Sequence, residues 1–119
     1  MIYFCSQSNR RELVLQSPLN GIDYLEVLGD PGCGTQLAVT FLKDATPLGL
    51  TAANATLAGG AAVNVVAVEP ISVEDPTVVT FDLDQTGDFS TYTFSLIAAP
   101  GASEPPPQID PALSSIDFS

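Results

Sequence analysis

From Gly21 onward, apolar and polar residues alternate with a period of two, the spacing that sends successive side chains to opposite faces of a β-strand. Ile22–Leu28 predicts a first strand. Thr35–Lys43 predicts a second, with Leu37, Val39 and Phe41 on one face and Gln36, Ala38, Thr40 and Leu42 on the other. Leu50–Leu57 is Ala-rich and predicts a weaker strand or a bend. In Ala62–Val68, Val63 and Val65 are opposed by Val66 and Val68, a pattern for burial on both faces. Thr77–Leu83 directs Val79, Phe81 and Leu83 inward, and in the last strand Tyr92, Phe94 and Leu96 alternate with Thr91, Thr93 and Ser95. Turn-forming clusters separate the runs, namely Asp30-Pro31-Gly32-Cys33-Gly34, Gly59-Gly60 and Gln85-Thr86-Gly87-Asp88.

Ahead of Gly21 the pattern differs. Ile2-Tyr3-Phe4-Cys5 is apolar and predicts a short edge strand. Residues 8–16 predict a short helix: the Ser8 or Asn9 side chain can accept a free N–H of the first turn, and Glu12 stands in the position of a capping box. Pro18 ends it, because the residue before a proline is driven to extended geometry. Ser17-Pro18-Leu19-Asn20-Gly21 is then a turn that feeds the first strand.

Short strands rich in Val, Thr and aromatic residues, divided by frequent turns, predict an all-β fold: an antiparallel, immunoglobulin-like β-sandwich preceded by a short N-terminal helix. A small closed barrel satisfies the same strand pattern. A parallel α/β sheet does not, since no helical period follows residue 18 to supply crossovers. The chain divides into an edge segment and helix over 1–20, a sandwich over 21–99, and a tail over 100–119. In the tail, Gly101-Ala102-Ser103-Glu104-Pro105-Pro106-Pro107 reads as an extended linker with no core to offer. Asp110 as N-cap with Pro111 at the first helical position predicts a short helical turn. Ile116-Asp117-Phe118-Ser119 stops in mid-pattern, which leads us to expect further chain beyond it.

Composition narrows the function. The 119 residues are 45% hydrophobic, with mean hydropathy +0.28, enough for a folded core despite ten prolines. Fourteen acids against Arg10, Arg11 and Lys43 give a net charge of −11. Such a surface repels phosphate backbones and anionic lipid, so the expectation is no nucleic acid and no membrane insertion. No apolar run reaches the length of a membrane span, and no basic region precedes an apolar block at the N-terminus; a cytoplasmic start is expected. Cys5 and Cys33 stand far apart without histidine, so they lack the partners of a zinc site, and two free thiols are expected, although spacing leaves their pairing open.

Candidate chemistry is sparse. A nucleophile needs a base, and the chain has no histidine; Lys43 reads as the polar end of a strand. Asp82, Asp84 and Asp88, or Glu74 and Asp75, are the carboxylates available for acid–base work or for an ion. Asp82-Leu83-Asp84-Gln85-Thr86-Gly87-Asp88 resembles the start of a calcium loop, but position 12 would be Thr93 and flanking helices are missing. These acids read as solvent-facing strand and turn residues. Gly59-Gly60 lacks the further glycines and helix of a phosphate cradle, and Asn54-Ala55-Thr56 is only a formal glycosylation acceptor. The expectation is therefore no catalytic, cofactor or metal residue, no small-molecule substrate, and no enzyme.

Leu19-Asn20-Gly21-Ile22-Asp23-Tyr24-Leu25-Glu26-Val27 resembles the opening of a family of baseplate assembly proteins of phage-tail-like contractile injection systems. Further pieces agree in order: Thr40-Phe41-Leu42-Lys43, Leu50-Thr51-Ala52-Ala53-Asn54 before Gly59-Gly60, Gly87-Asp88-Phe89-Ser90-Thr91-Tyr92-Thr93, and Ile109-Asp110-Pro111 with Ile116-Asp117-Phe118-Ser119. The first and the fourth are the most specific, and together the pieces span nearly the whole chain. The resemblance implies the N-terminal domain of a longer protein similar to baseplate wedge subunits. It implies other baseplate proteins, sheath and spike-hub components as partners, with assembly in the cytoplasm before the particle is released. A carbohydrate-binding or adhesin-type sandwich is the alternative, and it requires aromatic residues gathered on a solvent-facing strand face.

Overall fold

The structure, a computed structural model, describes residues 2–4, 8–30, 34–59, 63–84 and 91–118. Its strands are β1 (Ile2–Phe4), β2 (Ile22–Asp30), β3 (Gly34–Phe41), β4 (Ala55–Gly59), β5 (Val65–Val68), β6 (Val78–Leu83), β7 (Tyr92–Leu96) and β8 (Ser115–Phe118), with one α-helix, α1 (Ser8–Leu15). They form a five-stranded sheet in the order β1-β2-β3-β6-β5 and a three-stranded sheet in the order β4-β7-β8, with every strand pair antiparallel. The fold is an all-β, two-sheet sandwich with a short N-terminal helix, as the alternation predicts.

The inward residues meet between the sheets. Leu37, Val39 and Phe41 of β3 and Val79 and Phe81 of β6 face Tyr92, Phe94 and Leu96 of β7 and Ile116 and Phe118 of β8, all buried. Phe81 and Phe94 join the two layers edge to face, ring centroids 5.0 Å apart, an arrangement that matches ring edge to ring face. Within the smaller sheet Tyr92 and Phe118 are register partners and stack at 5.7 Å.

β5 is a sheet edge, so Val66 is 56% exposed and Val65–Val68 is not buried on both faces as its pattern suggests. Three further departures from the sequence reading have physical causes. First, β2 does not keep its period: the register shifts between Ile22 and Tyr24, so Ile22 and Leu25 are both buried while Tyr24 is only half-buried. A bulge absorbs one residue and re-aims those after it. Second, Leu50–Leu57 is split. A 3-10 turn at Ala52–Asn54 is closed by Thr51 and Asn54, whose side chain accepts the Thr51 N–H at 3.0 Å, and the strand begins only at Ala55. Third, the tail is part of the sandwich. Pro106, Ile109, Asp110, Leu113, Ile116 and Phe118 are buried, and β8 is a full strand of the second sheet. The linker reading of this segment fails because Pro106 and the apolar residues after it pack into the core, although a proline lends no N–H to a ladder. Asp110 does cap the turn at Pro111–Leu113, accepting the Ala112 N–H at 2.8 Å.

Candidate functional site

The turn Ser17–Gly21 is the junction that locks the sandwich. Asn20 is 5% exposed, and its amide is fully employed: Oδ1 accepts the N–H of Gly21 (2.8 Å) and of Lys43 (3.0 Å), while Nδ2 donates to the carbonyls of Lys43 (3.2 Å) and Asp44 (3.3 Å). Its main chain reaches the tail. Asn20 N–H donates to Gln108 O at 2.8 Å, and Asp110 N–H donates to Asn20 O at 2.9 Å. Asn20 and Ile109 thereby form a parallel bridge. The chain's own geometry demands glycine next: a Cβ at Gly21 would lie 2.7 Å from Leu113 Cβ. One turn thus binds the helix, the end of β3 and the returning tail. Sequence reading found this stretch but could not name its partners, which lie about twenty and ninety residues away.

The candidate chemical groups are mostly committed to the fold. Lys43 Nζ donates to Ser17 O, fastening the turn from outside. Asp84 accepts from the Asn64 N–H (2.9 Å) and Nδ2 (3.1 Å), and Asp75 accepts from Thr77 Oγ1 at 2.9 Å. Asp82 holds Gln36 Nε2 at 2.7 Å across the β3–β6 pair. Glu74 lies exposed in the loop before β6. Asn54 Nδ2 donates to the carbonyls of Ile97 (3.0 Å) and Ala98 (3.2 Å), a structural role for the formal glycosylation acceptor. Asp88, Gly60, Cys5 and Cys33 lie outside the described residues. Among the described residues, no three His, Cys, Asp or Glu side chains group in a way that could hold a metal ion.

Two carboxylates have displaced titration. Glu69 is raised, through its hydrogen bond with Asp82 and the repulsion of that second negative charge. Asp44 is lowered, because it accepts the Thr46 N–H at 2.8 Å. Both are exposed, and neither lines the shallow apolar depression of about 440 Å³ made by Leu19, Pro105, Pro106, Ile109 and Pro111. That hollow carries one acid, Glu104, at its edge. Among the described residues, the acids with displaced titration lie outside this hollow.

The aromatic residues tell the same story. Phe41, Phe81, Tyr92 and Phe94 are buried in the core, and Tyr24 is half-buried. No helix among the described residues is long and apolar enough to cross a membrane. What remains on the outside is strand edge, loop and isolated apolar side chains, of which Val73 (96% exposed), Leu13 and Val66 are the most open.

No curated protein and no solved structure matches the chain. The family model described as phage baseplate assembly protein, N-terminal domain, matches residues 1–118, a span that includes helix, both sheets and the returning tail. The chain therefore belongs to the phage baseplate assembly protein family, as its N-terminal domain.

Proposed function

We propose that this domain is a protein–protein docking module in the baseplate wedge of a contractile injection system. Membership in the baseplate family gives a structural role in the baseplate and other baseplate or tail proteins as partners. The finer reading adds adjacent wedge subunits, sheath and spike-hub components. The carrying observation is the family match over 1–118, which covers the whole folded unit. The geometry supports it: a sandwich whose polar groups close its own turns offers its neighbours a fixed surface, and fixed surfaces bind with little ordering cost. We place it among non-enzymatic proteins, without cofactor, assembling in the cytoplasm and then carried in the particle.

Deletion of residues 1–118 from the protein in its native gene cluster tests the proposal. Particles should then lack complete baseplates by electron microscopy, with sheath absent or unanchored. Complete particles that still contract would refute it. The adhesin alternative predicts binding on a glycan array; the burial of Phe41, Phe81, Tyr92 and Phe94 keeps these rings from a solvent-facing sugar platform.

A further inference from the structure

We propose that the proline-walled hollow beside the Ser17–Gly21 turn is a docking site for a partner segment in which an arginine adjoins an apolar side chain. That a partner protein supplies this segment rests on the docking reading. The affinity of the hollow is a property of this chain alone, so it stands or falls separately from the deletion experiment above.

The hollow measures about 440 Å³, within the range of small-ligand sites, and lies between Leu19 and the returning tail. Pro106 and Ile109 of its lining are buried, Leu19 and Pro105 are half-buried, and Pro107 and Pro111 are exposed. Apolar surface therefore remains open to a partner. The walls are already in place. Ala98 N–H donates to Glu104 O at 2.8 Å, Ile109 N–H to Pro106 O at 3.0 Å, and Asn20 N–H to Gln108 O at 2.8 Å. The four prolines also fix their own φ, so binding here orders little that is not ordered beforehand.

Hydrogen-bonding capacity selects the occupant. Of the eight lining residues, four are prolines without an N–H. The N–H groups of Leu19 and Ile109 are spent on Ser17 Oγ (3.1 Å) and Pro106 O. Every lining residue keeps a carbonyl, and those of Pro105 and Pro107 have no hydrogen-bond partner among the described residues. Among the described residues, Glu104 is the only charged side chain at the hollow, and its exposed carboxylate has neither hydrogen bond nor ion pair. By contrast, Asp44, Asp75, Asp82, Asp84, Asp110 and Asp117 each accept a hydrogen bond from the chain itself. A lining rich in acceptors, poor in donors and negative at its edge fits a cation that only donates.

A second copy brings a net charge of −11, and nucleic acid or an acidic peptide likewise sets negative charge against Glu104. Lysine and arginine both answer the carboxylate. Arginine suits this lining better, because its planar guanidinium carries five donors and no acceptor and is weakly hydrated, so it loses little against apolar walls. The apolar neighbour of that arginine then covers Leu19 and Pro105.

Nuclear magnetic resonance of the 15N-labelled 119-residue chain, titrated with the capped peptide acetyl-Gly-Leu-Arg-Gly-amide from about 0.1 to 10 mM, tests the site over the range of a millimolar contact. Saturable shifts should gather at the Leu19, Ser103, Glu104 and Ile109 amides. Glu104→Gln should weaken binding about two- to fivefold, the span of an exposed ion pair, whereas Glu74→Gln, in the loop before β6, should leave it unchanged. The amide spectra themselves show that both variants stay folded. The peptide with glutamate in place of arginine should not saturate, and the one with lysine should bind more weakly. No saturable shift at these amides, shifts spread equally over the other acids, or binding indifferent to Glu104→Gln overturns the proposal. Equal binding of the lysine peptide overturns the choice of guanidinium, and shifts of the same amides on raising the chain's own concentration, without peptide, assign the hollow to a second copy instead.

Discussion

Asn20→Ala removes a side chain whose four hydrogen bonds tie the turn before β2 to Lys43 and Asp44 after β3. The Gly21 N–H it leaves behind belongs to a buried residue, so water cannot simply replace the lost oxygen. A buried donor without a partner costs about 1–3 kcal/mol, and each further bond lost where solvent can enter costs about 0.5–1.5 kcal/mol. The Lys43 and Asp44 groups are closer to the surface and recover part of their loss from water. A net destabilisation of about 2–4 kcal/mol follows. In urea, at a slope of about 1.5 kcal/mol per molar, the midpoint should fall by about 2 M with the slope unchanged. Hydrogen exchange should also quicken at the Gly21 and Lys43 amides, which lose their acceptor, whereas the main-chain bonds of residue 20 to Gln108 and Asp110 remain. Asn20→Asp keeps the acceptor but sets a carboxylate against the Lys43 and Asp44 carbonyls, so it should destabilise more at neutral than at acidic pH. A loss below about 1 kcal/mol for Asn20→Ala, with exchange of the Gly21 and Lys43 amides unaltered, would refute the assignment of this residue as the lock.

Gly21→Ala should cost about 1–3 kcal/mol by overpacking, because its Cβ would meet Leu113 Cβ at 2.7 Å and Cδ1 at 3.0 Å. Combining it with Leu113→Gly, which removes the clashing Cβ, should cost less than the two single losses together; additive losses in urea titrations would refute the contact. For pH, Glu69 has a raised folded pKa, so its repulsion with Asp82 opposes folding at neutral pH and fades as pH falls through that value. Glu69→Gln should therefore be at least as stable as the wild type at pH 7, with the difference closing on acidification; a variant less stable at pH 7 would contradict this. Asp44 has a lowered folded pKa, so its contribution is present above its unfolded value and is lost as pH falls through the folded one. Asp44→Asn should be less stable at neutral pH and indistinguishable in strong acid, as followed by thermal midpoint.

Local pattern was sufficient to mark most strands, because side-chain alternation is written residue by residue: Leu37-Ala38-Val39-Thr40-Phe41 and Tyr92-Thr93-Phe94-Ser95-Leu96 face as their alternation requires. The Asp110-Pro111 cap was equally legible, since a capping bond spans two residues. Pairing is a different matter. That β3 lies beside β6, that β4 leaves for the other sheet, and that β8 completes it are decided by which arrangement buries the most apolar surface, a property of the whole chain. The bulge after Ile22 arises from fitting β2 to a partner, and no alternation rule contains the partner. The linker reading of 105–107 fails at Pro106, which is buried and opens a turn closed by the Ile109 N–H, while Pro107 stays exposed: φ is fixed locally, but burial of a ring depends on residues distant in the chain arriving beside it.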